Sequence, residues 1–300
     1  MKNTIVATDA DRHAAAEWAR FLEDINTARG QLGCGKGSRH EAWFRGHINS
    51  NYSLLPSLFR HFPDPNTKNI WDDIWQKESD LYWEFSARAR ELHGVIESDW
   101  DILFAMQHHG TPTRLLDWTE VLGVAIYFAI LNVDATEQAG KQSPQPCVWV
   151  LNPYQLNECS DWDADLISPS ILGWDEKSET YYSYSELLLE DGIGWDWPVA
   201  IYPRQRTSRI HAQRGKFTIH GNEFSPIDQF KDHPKYLRKV ELPWAALPKA
   251  REFLELAGIN HYSLFPDLQN LSLHLREKYA LVPTAKAPNP KPKSKPRRKQ

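Results

Sequence analysis

Two stretches of this 300-residue chain concentrate side chains able to hold an anion or handle developing charge. The first is EAWFRGH at 41–47, where Arg45 stands between bulky aromatics and Gly46. Strand alternation sends Trp43 and Arg45 to one face and Phe44 to the other. A guanidinium framed in this way either pairs with a buried carboxylate or offers its planar fork to a ligand phosphate or carboxylate. In the second case Gly46 lets that ligand approach the backbone.

The second stretch is AMQHHGTPTRLLDWTE at 105–120, which crowds His108, His109, Arg114, Asp117 and Thr119 ahead of an apolar segment. Arg114 and Asp117 can pair with each other, and Asp117 or Thr119 can cap the coming helix. Neither reading accounts for Gln107 and the two histidines. Polar groups gathered at the start of a buried helix are where an anion or nucleotide is held. A third cluster, RIHAQRGKF at 209–217, sets His211 and Gln213 just before a strand-like run, with Arg209 and Arg214 beside them.

Other chemistries lack their patterns. His47, His108, His109, His211 and His220 are the candidate metal ligands, but adjacent histidines rarely share an ion and no HxxxH helix spacing occurs. No metal site is expected, and a metal-dependent nuclease is kept as a second alternative function. There is no GxSxG elbow. The glycines of RGQLGCGKGS form neither GxGxxG nor a phosphate loop. Cys34, Cys147 and Cys159 are odd in number and form no CxxC pair, so they are read as free thiols.

The elements that must position these residues follow from periodicity. Trp18, Phe21, Leu22 and Ile25 share one face of a helix over 13–28. Ile70, Ile74, Leu81, Phe85 and Leu92 define a long helix ending before Gly94, and DWDILFAMQHHG another, capped by Asp99. Pro112 keeps its neighbours extended, and a buried helix is expected from about Thr119 to Asn132. CVWVL, VAIYP, the run through Phe217 and Ile219, and LRKVELP read as strands. Residues 152–198 read as loops and short helices, and two helices close the chain. With no internal repeat, this is one α+β domain with a mixed or split sheet and flanking helices. Residues 1–40 are an amphipathic helix and glycine-rich hinge, 41–281 the domain, and 282–300 a basic tail.

The formal charge is −4, yet residues 284–300 hold seven Lys or Arg and no acid, leaving −11 on residues 1–283. Alternating Pro and Lys close neither a helix nor a ladder, so the tail is expected to be disordered. It is either a solubilising end or an electrostatic tether to nucleic acid or an acidic partner. That second use defines the alternative function, a non-catalytic nucleic-acid or protein-binding module. The longest apolar run, VLGVAIYFAIL, is too short to span a bilayer, and the first residues are not those of a signal peptide. A cytoplasmic protein without membrane association is expected.

WFRGH followed by YSLLPSLFR, then QHHGTPTRLLDWTEVLGVAIYFA, RIHAQRGKFTIHG and GINHYSLFPDLQNL, resembles the FRG domain family over Glu41 to Leu271. The order of a strand-borne Arg, a Thr before an apolar helix and a polar residue near a strand edge is also similar to the ADP-ribosyltransferases. That resemblance implies an ADP-ribosyltransferase-like fold, an effector role of the bacterial or phage kind, and NAD as substrate. It puts Arg45 on the ribose or diphosphate, Thr119 beside the nicotinamide, and Gln213 where the family has an acid. Gly46, His108, His109 and Arg114 would then border the nucleotide. An amide stabilises an oxocarbenium-like sugar less well than a carboxylate, so Asp117 or Glu223 would have to supply the charge.

Overall fold

Six strands form a single open sheet in the computed structural model, which describes residues 8–38, 40–62, 70–93, 98–133, 144–160, 183–189, 196–203, 208–279 and 281. The strands are β1 (Trp43–His47), β2 (Leu115–Thr119), β3 (Cys147–Leu151), β4 (Val199–Ile201), β5 (Gly215–Ile219) and β6 (Leu237–Glu241). Their order across the sheet is β4-β5-β2-β1-β3-β6, and every neighbouring pair is antiparallel. The sheet is therefore neither mixed nor split into two. β1 lies between β2 and β3, which run in the same direction, so no parallel contact arises. The α+β class stands.

The helices are α1 (Asp9–Gln31), α2 (Ile70–His93), α3 (Asp99–His108), α4 (Leu122–Ile130), α5 (Pro153–Cys159), α6 (Tyr184–Leu189), α7 (Ser208–Gln213), α8 (His233–Tyr236), α9 (Leu247–Leu256), α10 (His261–Leu264) and α11 (Leu268–Lys278). Thr8 caps α1 through a reciprocal bond with Asp11, which starts the helix earlier than its apolar stripe does. The cap of α3 is Ser98, paired with Asp101, rather than Asp99. The basic tail and the polar linker 134–143 lie outside the described residues.

Both faces of the sheet are covered. Phe44 of β1, Val148 and Val150 of β3 and the small residues Ala125 and Ala129 of α4 form one core with Phe21 and Ile25 of α1 and Leu247 and Leu254 of α9. The amphipathic first helix is thus packed into the same core as the sheet. Trp43, Trp118, Trp149 and Leu151 build a second cluster, as the period-two alternation of WFR and VWV requires. Among the described residues, Trp43, Trp100, Trp118 and Trp149 are buried in such packing. A third cluster joins α3, α6, β4 and β5 through Trp100, Phe104, Tyr184 and Phe217.

Gly46 fixes the contact between β1 and α4. A Cβ there would lie 1.9 Å from the Ala125 carbonyl oxygen and 2.6 Å from the Ala129 nitrogen. The helix backbone fills the space beside this glycine, so helix-on-strand packing by itself excludes a side chain there.

Arg114 is likewise a packing residue. It is 2% exposed, pairs with both carboxylate oxygens of Glu78, and donates to the carbonyls of His220 and Gly221 at 2.9 and 3.0 Å. The Tyr184 hydroxyl donates to Glu78 Oε1 at 2.6 Å. Burial works against the charge of Arg114, but Glu78 more than offsets it and holds the guanidinium protonated. The network ties α2, α6, the start of β2 and the segment after β5 together.

Candidate functional site

β1 pairs with β3 along all five residues, but with β2 only at Phe44 and Thr119. Beyond that single register point the two strands part, and the Asp117 carbonyl is left without its ladder partner. Nη1 of Arg45 takes that place, donating to Asp117 O at 2.7 Å. The parted seam is the floor of a cavity of about 280 Å³.

Arg45, Asp117, Thr119 and Gln213 all line this cavity, together with Arg60, Arg209, His47, Tyr52 and Phe128. Four residues spread over 169 positions of sequence are therefore brought around one hollow. His108, His109 and Arg114 are not among its lining residues. The His108 carbonyl accepts from Arg209 at 2.8 Å. His109 borders a separate depression with Leu81, Phe85 and Thr111. His108 lines a small neighbouring hollow with Gln107, Asp117, Arg209 and Gln213, so of the three side chains the structure places His109 and Arg114 apart from the seam and keeps His108 beside it.

The expected helix start at Thr119 is also displaced. Asp117 and Thr119 belong to β2, and α4 begins at Leu122 with no side-chain cap. Thr119 Oγ1 nevertheless accepts from Val121 N at 3.0 Å, which holds the turn into α4. The same hydroxyl donates to the Gln213 carbonyl at 2.6 Å. Both of these bonds are internal, so Thr119 fixes the junction of β2, α4 and α7.

Gln213 is tied down by its amide, Nε2 donating to the Leu264 carbonyl at 3.1 Å. A carboxylate there would face that carbonyl with no proton to give, which is a local reason for an amide. Asp117 is the carboxylate that lines the cavity. Its Oδ2 accepts from Gln107 Nε2 at 2.8 Å and lies 3.8 Å from Arg45 Nη1. Gln107 in turn accepts from the Thr113 hydroxyl at 2.5 Å. This chain, Thr113 to Gln107 to Asp117, orients the carboxylate through Oδ2 and leaves Oδ1 without a protein donor among the described residues. Glu223 is held by Ser225 at 2.8 Å and does not line the cavity.

The walls are cationic. Arg45, Arg60 and Arg209 face a single carboxylate, in a chain whose residues 1–283 carry −11. Burial, and then the charge of Arg60, lowers the proton affinity of Arg45, against the pull of Asp117. Arg209 stacks on Phe265, 4.6 Å from its ring centre. His47 accepts from Arg45 Nε at 3.1 Å, and its pKa is pushed down to about 3 by burial and by the Arg45 charge. Tyr52, half exposed on the rim, and Phe128 give planar surface beside the charges. Sequence reasoning missed Arg60 and Gln107 as site residues and weighed His47 only as a metal ligand. Gln107 was visible in the same polar stretch; Arg60 carried no signal beyond a lone basic residue after a turn.

Metal ligation has no such assembly. Among the described residues, no group of three His, Cys, Asp or Glu side chains is placed to hold an ion. The three cysteines are free, and Cys34 and Cys147 are buried. Among the described residues no helix is long and apolar enough to cross a membrane.

The fold and the cleft together define an α+β protein with an arginine-lined cavity at an opened strand seam. Residues 40–138 match the family model of the FRG domain. That segment of the chain is similar to the FRG domain, and Phe44-Arg45-Gly46 falls within it. No curated protein and no solved structure matches the chain.

Proposed function

We propose that the cleft binds a nucleotide, with NAD as its substrate, and transfers ADP-ribose to an acceptor. The observation that carries this reading is the convergence of Arg45, Asp117, Thr119 and Gln213 on one cavity whose other charged side chains are Arg60 and Arg209. A hollow of about 280 Å³ is near the lower bound of small-molecule sites. It suits one half of a dinucleotide, the other half extending past the half-exposed Tyr52.

In this reading the bond between the ribose C1′ and the nicotinamide nitrogen breaks, and its electron pair leaves with neutral nicotinamide. The sugar becomes oxocarbenium-like. Asp117, oriented through Gln107, stabilises that charge from its free oxygen. An acceptor nucleophile then forms the new bond to C1′ and gives up its proton to Asp117 or to solvent. Arg45 holds the phosphates, and Thr119 keeps the junction rigid.

The test is incubation with NAD labelled in its ADP-ribose half, with and without cell extract. Free nicotinamide and label on a macromolecule are expected. Arg45→Lys, which cannot reproduce a bidentate fork, should lose NAD binding while keeping its melting temperature. Deleting residues 284–300 should leave NAD binding unchanged. Absence of NAD binding in calorimetry, together with absence of nicotinamide release, rejects the reading.

A further inference from the structure

The three arginines around the cavity differ in how far the protein itself occupies them. Arg209 donates to His108 O and stacks on Phe265. Arg45 spends Nε on His47 and Nη1 on Asp117 O, and among the described residues Nη2 has no protein acceptor. The Arg60 side chain makes no hydrogen bond or ion pair among the described residues, although its charge is felt at both Arg45 and His47. Two neighbouring cations thus face the hollow with uncommitted donors.

The position of Arg60 is not left to chance. It lies on the 3-10 turn Phe59–His61. Leu58 N donates to Thr113 O at 3.1 Å, which ties the turn to the segment leading into β2. Phe59 is fully buried, stacks on Phe224 at 5.4 Å, and lies under the Arg114 guanidinium, 5.7 Å from its ring centre. The buried Arg114–Glu78 network therefore anchors the backbone that carries Arg60 to the cavity edge. A rigid mount and an exposed, unpaired head are what an anion contact needs, since little ordering entropy remains to be lost on binding.

We infer that Arg60 and Arg45 form a two-guanidinium clamp for a diphosphate group, and that the ligand class of the cleft is the diphosphate-bearing nucleotide. Three guanidinium groups against the Asp117 carboxylate leave the lining with an excess of two positive charges, which two phosphate diesters neutralise. The uncommitted Nη2 of Arg45 and the guanidinium of Arg60 come from different elements, β1 and the 3-10 turn, so each can take one phosphate. A single phosphate would leave most of a cavity of about 280 Å³ unfilled. This inference deepens the NAD reading and rests on the same cleft, but it concerns recognition and is testable without turnover.

The probes are inorganic pyrophosphate and orthophosphate, titrated into the full chain by calorimetry at fixed moderate salt. Pyrophosphate is expected to bind at least about tenfold more tightly than orthophosphate, the worth of one extra charge-assisted contact. Arg60→Ala should weaken pyrophosphate binding by about tenfold or more and Arg60→Lys by less, with thermal midpoints unchanged. Arg20→Ala, an exposed change on α1, should alter neither. Equal affinity for the two anions, no pyrophosphate binding, an Arg60→Ala variant that binds like the parent, or an equal drop in Arg20→Ala would each overturn the clamp. Nicotinamide release measured in parallel separates the two claims. Pyrophosphate binding through Arg60 without NAD turnover rejects the transferase and keeps the clamp; turnover that survives Arg60→Ala unchanged does the reverse.

Discussion

Arg45 and His47, two residues apart on one face of β1, share a hydrogen bond in which the guanidinium Nε donates to the imidazole Nε2 at 3.1 Å. A second donor, Trp149 Nε1, faces the other ring nitrogen, Nδ1, at 3.3 Å from the neighbouring strand. A neutral imidazole has one lone pair, so the ring accepts from one of these two donors at a time. The consequence is an arginine whose plane is fixed by a partner that stays uncharged, because a second cation there would repel it.

Replacing His47 with Leu should therefore weaken pyrophosphate or NAD binding by about tenfold, the loss of one hydrogen bond to a charged group. His47→Gln, which keeps an acceptor, should recover part of that. Calorimetry at pH 7 reads both, with thermal melts to confirm folding. Equal affinity in parent and His47→Leu would show that Arg45 needs no such support.

The core pair makes a different forecast. Glu78→Ala or Arg114→Ala leaves an uncompensated charge in a site that is 2–3% exposed, and each should cost about 3–5 kcal/mol in denaturant unfolding. Arg45→Lys, at a partly exposed position, should cost less than about 1 kcal/mol. If Arg114→Ala melts like the parent while Arg45→Lys does not, the assignment of core and cleft is reversed.

These two arginines show how far the sequence could be read. Each sat in a polar, aromatic or glycine-bearing stretch, and each admitted an ion-pair and a ligand reading. Arg114 proved to be the ion pair and Arg45 the cleft residue, because Glu78 lies on α2 and reaches one and not the other. Pairing across 36 positions is invisible to periodicity. Strands such as CVWVL were legible because their burial is local and continuous. The sheet order was not, since it depends on which strand slides between β2 and β3. The cleft residues were legible as chemistry-bearing types, whereas the seam that gathers them depends on a single register point. His108 and His109 looked alike by composition, yet helix phase put His109 against α2 and left His108 beside Asp117 and Arg209.

Gly46→Ala should be among the most damaging single-methyl changes available. The added carbon would lie 1.9 Å from a helix carbonyl, and its nearest neighbours are all α4 backbone atoms, which have no flexible end to yield. Forced overpacking costs about 1–3 kcal/mol when side chains can shift, so a loss above that range, or failure to fold, is expected in chemical denaturation. A Gly46→Ala protein with parent stability would mean that α4 can move off β1.

Stability should also fall with acid before carboxylates titrate. His47 and His220 have pKa values of about 3 in the fold, each depressed first by burial and then by a neighbouring guanidinium, against an ordinary value of 6.5. Between those values the unfolded chain takes up a proton that the native chain refuses. The stabilisation is complete above pH 6.5 and is lost as pH falls toward 3, by up to about 1.4 kcal/mol per pH unit for each histidine. Urea unfolding from pH 7 to 5 should show this slope, and His220→Gln should reduce it by about half. A flat profile over that range would mean that both rings are accessible to protons in the native state.

The carboxylate makes the sharpest distinction between binding and chemistry. Asp117→Asn keeps an oxygen for Gln107 and removes the charge, while the phosphate contacts assigned to Arg45 and Arg60 are untouched. NAD affinity should change by less than about threefold, whereas nicotinamide release should fall by about a hundredfold or more, the scale on which a lost electrostatic stabiliser of a transition state is felt. Gln107→Leu, which leaves the charge but frees the carboxylate to rotate, should give a smaller loss in turnover with equally little effect on binding. Steady-state release assays and calorimetry on the same preparations read the two separately. Turnover at the parent rate in Asp117→Asn would remove this residue from the reaction and return the question of the missing acid to Gln213.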